Sequence, residues 1–274
     1  MTTILSPMLE TRTVDGIRIR LRRGGGSDGI PLLLTAPWPE SIRAFDAIWP
    51  ALEQLGPLVA VDLPGFGLSE MREDLLSPRA MGAYLPTLLD ALGLDRVHAI
   101  VPDVGTLAAL FAAAAYPDRF ESIVGGSGGI AMPLLGAPLQ QIVASSRADF
   151  AGTDGGAQVV SLIRSSLALP EDVLEDYGNA SAGSRWNEAA DFVRAYARDL
   201  PALEGLLGTI ATPTLVISGR TDPFVPPANG AFLAEHLPHC VHEVVESGHF
   251  VWEAAPARYA ELVTDWVRAG YRAA

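Results

Sequence analysis

The stretch Val97-His-Ala-Ile-Val-Pro-Asp103-Val-Gly105-Thr106 places a carboxylate straight after an apolar run and straight before a segment of small residues. A buried strand, a tight turn and a helix in that succession are the setting in which an enzyme presents a nucleophile. The side chain sits on a strained turn, and glycine two positions on removes bulk where strand and helix meet. The amide of the next residue, Val104, can then point at a developing oxyanion. An aspartate here would serve equally well as a helix N-cap, accepting backbone N–H groups of the first turn.

Two further segments bear on that choice. Thr214-Leu-Val-Ile-Ser-Gly219-Arg-Thr-Asp222-Pro223 is an apolar run ending in a loop with one carboxylate, which could orient and stabilise an imidazolium. A turn aspartate before proline has the same appearance. Val241-His-Glu-Val-Val-Glu-Ser-Gly248-His249-Phe250 sets a histidine in a glycine-led loop between the last apolar run and the last helical segment. Singly, each residue has a structural reading. In the order nucleophile, acid, histidine, each just past a strand of a parallel sheet, they would meet at one sheet edge. Asp103, Asp222 and His249 are therefore read as a catalytic triad.

The elements that must position them are legible as alternation. Apolar runs of strand length recur at Ile17–Leu21, Ile30–Thr35, Leu58–Leu63, Val97–Val101, Ser122–Val124, Thr214–Ser218 and Val241–Val245, with helical segments between them. Met81–Leu94 and the alanine-rich Thr106–Tyr116 are predicted helices. This pattern is an α/β class, with a mostly parallel central sheet flanked by helices. From about Ala131 to Leu207 the strand pattern gives way to helical pieces broken by turns such as Gly152-Thr-Asp-Gly-Gly-Ala, which reads as an inserted helical cap over 131–207. The 274 residues are expected to form a single domain.

The triad order, together with Val61-Asp-Leu-Pro-Gly-Phe-Gly-Leu-Ser69 and Ser247-Gly-His249-Phe250, resembles the α/β-hydrolase superfamily over nearly the whole chain. The aspartate at the elbow resembles the branch that holds epoxide hydrolases, haloalkane dehalogenases and fluoroacetate dehalogenases. Ala36-Pro-Trp38-Pro39-Glu40-Ser41 resembles the His-Gly-Phe-Pro-Glu-Ser loop of epoxide hydrolases. The resemblance implies that Asp103 attacks an electrophilic sp3 carbon to give an alkyl ester, because attack of a carboxylate on an acyl group would give a poor anhydride intermediate. His249, held by Asp222, would then take a proton from the water that hydrolyses the ester. The amides of Val104 and of the loop at Trp38 would form the oxyanion hole, each donor contributing about 3 kcal/mol. No metal and no organic cofactor is implied.

The leaving atom separates substrate classes. An epoxide oxygen needs a proton donor, usually a pair of tyrosines, and a halide needs aromatic or amide N–H groups. Tyr177, Trp186 and Tyr196 in the cap, with Trp38, are the candidate substrate-binding residues. Val104 stands where the dehalogenases carry tryptophan or arginine, so epoxide opening is the first reading and a dehalogenase the alternative. Ala36-Pro37 replaces His-Gly and Val101-Pro102 replaces Gly-His in the family pattern. Those departures keep two other readings open: Asp103 as a base in a non-hydrolytic step of secondary metabolism, and a non-catalytic ligand-binding protein on the same scaffold. Gly125-Gly-Ser127-Gly-Gly129 also fits the Gly-x-Ser-x-Gly pattern, but it runs towards Pro133 rather than into a long helix, so Ser127 is not read as a nucleophile.

A net charge of -13 would repel phosphate backbones and anionic headgroups, which argues against nucleic-acid and membrane partners and suits a small uncharged substrate and water. A homodimer stays open. Cys240 is the single cysteine, so no intramolecular disulfide forms, as suits a reducing compartment. The opening Met1–Pro7 lacks a basic segment leading into an apolar one, and the uncharged Ser122–Ser146 is broken by glycines, Pro133 and Pro138. No leader and no membrane span are expected, and a cytoplasmic location is. His98, His236, His239 and His242 lack matched spacing and are read as structural or surface residues.

Overall fold

Leu58–Val61 and Val97–Ile100 are buried at every position, as apolar runs without polar alternation require when both faces of a strand are covered. The computed structural model describes residues 9–269 and Tyr271, so the opening segment read for a leader lies outside the described residues. Eight strands are present among these: β1 (Leu9–Val14), β2 (Ile17–Gly24), β3 (Leu32–Thr35), β4 (Leu58–Val61), β5 (Val97–Ile100), β6 (Phe120–Gly125), β7 (Thr214–Gly219) and β8 (Cys240–Val245). They form one sheet in the order β1-β2-β4-β3-β5-β6-β7-β8. β1 and β2 are antiparallel to each other and β2 is antiparallel to β4, while every pair from β4 to β8 is parallel. β1 has no counterpart among the apolar runs, because only its last residue, Val14, is buried.

Helices cover both faces. Pro78–Leu92 begins with Ser77 accepting the Ala80 amide and with proline in its first turn, and it ends at Gly93 in the left-handed region. It crosses the elbow helix Val104–Ala115 closely: a Cβ on Gly82 would lie 2.6 Å from Phe111 Cβ. These two helices share one apolar cluster with one face of the sheet, and the C-terminal helix Pro256–Arg268 shares a second cluster with the other.

Between β6 and β7 the described chain contains only helices and turns, from Met132–Leu134 through Ala137–Ala144, Gly155–Ser166, Glu171–Ala180, Arg185–Ala189, Asp191–Arg194 and Tyr196–Glu204 to Leu207–Thr209. A buried polar knot ties this excursion to the sheet. Arg20 on β2 donates to both carboxylate oxygens of Asp176 at 2.8 and 2.9 Å, and Ser41 Oγ donates to the same carboxylate. Arg20 also pairs with Asp62, whose oxygens accept the amides of Ile42 and Leu68. Asp62, the acid of the Asp-Leu-Pro-Gly turn, thus anchors loops rather than chemistry. No helix among the described residues is long and apolar enough to cross a membrane.

Candidate active site

Asp103 follows β5 with φ 55° and ψ −124°, in the left-handed half of backbone space that residues other than glycine seldom occupy. The turn is held from both sides. The Asp103 amide donates to the Gly126 carbonyl at 2.8 Å, and a Cβ on Gly105 would fall on Thr35 Oγ1, so only glycine lets the elbow approach β3. The carboxylate is buried, and its Oδ2 accepts the backbone N–H of Trp38 at 2.7 Å. The neighbouring Val104 amide also favours its charged form. Burial pushes the carboxyl up to about 6, although the charge of His249 and both amides pull the other way.

Asp222 lies in the loop after β7, where its Oδ1 accepts the amides of Phe224 and Val225 at 2.8 and 2.9 Å. Its other oxygen faces His249 Nδ1 at 2.8 Å, which assigns the proton to Nδ1 and leaves Nε2 free as an acceptor. Nε2 stands 4.0 Å from Asp103 Oδ1. Burial alone would lower the imidazole pKa, but the hydrogen bond and charge of Asp222, with the charge of Asp103, raise it above its ordinary value. The structure thus brings together the three residues that chain order linked.

Above them is a cavity of about 70 Å³ whose walls include Trp38, Asp103, His249, Trp186 and Tyr196. Leu139, Ile142, Leu162 and Val193 from the helical excursion, and Phe224, Val225 and Phe250 from the loops after β7 and β8, supply the rest of its apolar lining with Pro39. Trp38 and Trp186 stack with ring centroids 5.3 Å apart. Tyr196 is fully buried, and burial together with the charge of Asp103 holds its phenol well above the ordinary value, so it keeps its proton.

Tyr177 corrects the expectation for the cap. Its hydroxyl donates to Glu253 Oε1 at 2.6 Å, and its side chain is no part of the cavity wall. It meets an acid pair instead: buried Glu40, which follows the Trp38-Pro39 loop and accepts from Trp252 Nε1, lies beside the half-buried Glu253. Nothing in the sequence marks the aliphatic wall residues either, since Leu139, Ile142 and Val193 carry the same apolar spacing as side chains that only pack. No group of His, Cys, Asp and Glu able to hold a metal ion is present among the described residues.

Residues 31–256 match the family model for the alpha/beta hydrolase fold, and the chain belongs to that family. It is 28% identical over 249 residues to a pimeloyl-[acyl-carrier protein] methyl ester esterase of Neisseria meningitidis, covering 84% of this chain and 90% of that protein. It is 27% identical to a 2-hydroxy-6-oxononadienedioate/2-hydroxy-6-oxononatrienedioate hydrolase of Burkholderia vietnamiensis, with 93% of each covered. Among solved structures, Cfl2 from Burkholderia cenocepacia superposes with a TM-score of 0.82 at 23% identity, covering 96% of this chain and 95% of that one. The two curated relatives are both hydrolases, one a methyl ester esterase, and the solved structure shares the fold.

Proposed function

We propose that the chain hydrolyses small uncharged substrates at an electrophilic sp3 carbon, through an alkyl ester on Asp103. The observation that carries this reading is the 2.7 Å hydrogen bond from the Trp38 amide to Asp103 Oδ2. With Oδ2 held by the Trp38 amide, Oδ1 is the oxygen left to attack carbon. The ester that results keeps Oδ2 as its carbonyl oxygen, already seated where the tetrahedral oxyanion would form.

For an epoxide, Oδ1 forms a bond to carbon as the ring C–O bond breaks, and the departing oxygen takes the phenolic proton of Tyr196. Water then attacks Cγ of Asp103 while His249 Nε2 takes its proton. Asp222 stabilises the imidazolium, and the amides of Trp38 and Val104 hold the oxyanion. Collapse releases a diol, whose departing oxygen takes the proton from His249; one water oxygen stays in Asp103, and the proton left on its carboxyl returns to the Tyr196 phenolate, restoring both groups. A lining with no lysine, arginine or carboxylate besides Asp103 suits an uncharged substrate, and the helical excursion acts as its cap. One observation favours dehalogenation as a second reading. Trp38 Nε1 is buried without a hydrogen-bond partner among the described residues, and Trp38 lines the cavity, which would give a halide a donor.

The test is a single turnover with enzyme in excess, in water enriched in heavy oxygen, across small epoxides and haloalkanes. Label in the Asp103 carboxylate, and an adduct on Asp103 in His249→Gln, are the expected results. The adduct adds the whole substrate mass for an epoxide, and the substrate mass less hydrogen halide for a haloalkane. Turnover with label only in product and no adduct in His249→Gln would overturn the reading.

A further inference from the structure

The glycine-rich run after β6 does something other than present a nucleophile. Ser127 has φ 51°, a left-handed conformation that costs a side chain energy and glycine none, yet it is the one residue of 125–129 that is not glycine. Its hydroxyl donates to the backbone carbonyl of His249 at 3.1 Å, across a sequence gap that joins the loop after β6 to the loop after β8. The same run grips the elbow. The Gly126 carbonyl accepts the Asp103 amide, and a Cβ on Gly128 would lie 2.7 Å from the Asp103 carbonyl. One short loop therefore contacts the backbone of Asp103 and the backbone of His249.

We propose that Ser127 is a positioning residue that sets His249 against Asp103. Asp222 fixes the imidazole ring through Nδ1, but it does not fix where the His249 backbone sits relative to the elbow. The His249 carbonyl also accepts the Val251 amide at 3.0 Å, so without the serine hydroxyl it is tied only to its own helix. The Nε2 to Oδ1 gap of 4.0 Å is where water must be deprotonated beside the ester, and it is the distance that Ser127 controls.

This inference rests on the alkyl-ester reading and makes a claim of its own: loss of the hydroxyl slows only the half-reaction that uses His249. Ser127→Gly removes the hydroxyl and relieves the left-handed backbone, and Ser127→Ala removes the hydroxyl and keeps that backbone cost. Both are expected to form the ester at the wild-type rate and to hydrolyse it about tenfold more slowly. Adduct then accumulates on Asp103 by intact mass, and kcat falls while kcat/KM holds. Ser127→Gly should melt no lower than Ser127→Ala. Wild-type rates in both half-reactions, or equal slowing of both, would overturn the proposal; if one variant fails to fold, the other decides it. Adduct in His249→Gln but none in either serine variant defeats the positioning role alone, whereas no adduct in His249→Gln defeats the ester reading and this inference with it.

Discussion

Nε2 of His249 stands 4.0 Å from Oδ1 of Asp103, while its Nδ1 lies 2.8 Å from Asp222. The longer separation is beyond hydrogen-bond range, so the imidazole does not occupy the oxygen that would attack carbon. Oδ1 is free for the first step and Nε2 for the second.

That division gives the first step its own pH dependence. Attack requires ionised Asp103, and burial holds this carboxyl up to about 6. Alkylation measured by single-turnover substrate loss should be level above about pH 7 and fall about tenfold per unit well below pH 6, as a base losing its charge must. A rate that stays level down to about pH 4 would remove Asp103 as the attacking group. Esterification erases the Asp103 charge, one of the causes that raise the His249 pKa, so the imidazole should release its proton more readily in the intermediate than in free enzyme.

Tyr196 and Tyr177 should part company on substitution. Tyr196→Phe removes a cavity-lining proton donor, and epoxide opening should slow about 100-fold or more, with halide displacement little changed. Tyr177→Phe strips a hydrogen bond from half-buried Glu253 and should cost about 1–3 kcal/mol in urea unfolding, with the activity of the folded fraction kept. If Tyr177→Phe abolished epoxide turnover without lowering stability, its assignment outside the site would be wrong.

Gly105→Ala should destabilise by about 3 kcal/mol or more, because the new Cβ falls on Thr35 Oγ1 and lies 3.1 Å from Val101 Cβ. Thr35→Ala opens that space, so the double variant should recover part of the loss. Strict additivity of the two changes in a denaturant titration would show that the elbow is not constrained at this contact.

Much of this arrangement was legible from residue order, and its limits have physical causes. β4 and β5 announced themselves because strands covered on both faces must be apolar throughout. β1 did not, because an exposed edge strand has no need of apolar side chains. Asp103, Asp222 and His249 could be linked because a parallel sheet carries each strand end to the same edge, so chain order alone implied proximity. Tyr177 and Tyr196 could not be told apart, since a buried tyrosine on a short helix has the same pattern whether its hydroxyl faces a cavity or Glu253. The Ser127 contact was hidden too: its acceptor is a backbone carbonyl, and every residue has one.

The acid pair behind the site offers a test in stability rather than rate. Burial, with the charge of Glu253 alongside, holds Glu40 well above the ordinary carboxyl range, which favours its protonated form in the folded chain. A carboxyl whose folded pKa is raised contributes stability that is fully present below its unfolded value, about 4.3, and lost as pH rises through the folded value. Glu40→Gln keeps an acceptor for Trp252 Nε1 and offers an N–H donor to Glu253, but it cannot ionise. Between about pH 5 and pH 9, wild type should therefore lose about 1–3 kcal/mol more than Glu40→Gln, the scale of one unsatisfied buried polar group. Urea midpoints measured at both ends of that range decide the matter. Equal losses in the two proteins would mean that the Glu40 carboxyl is not held above its ordinary range in the fold.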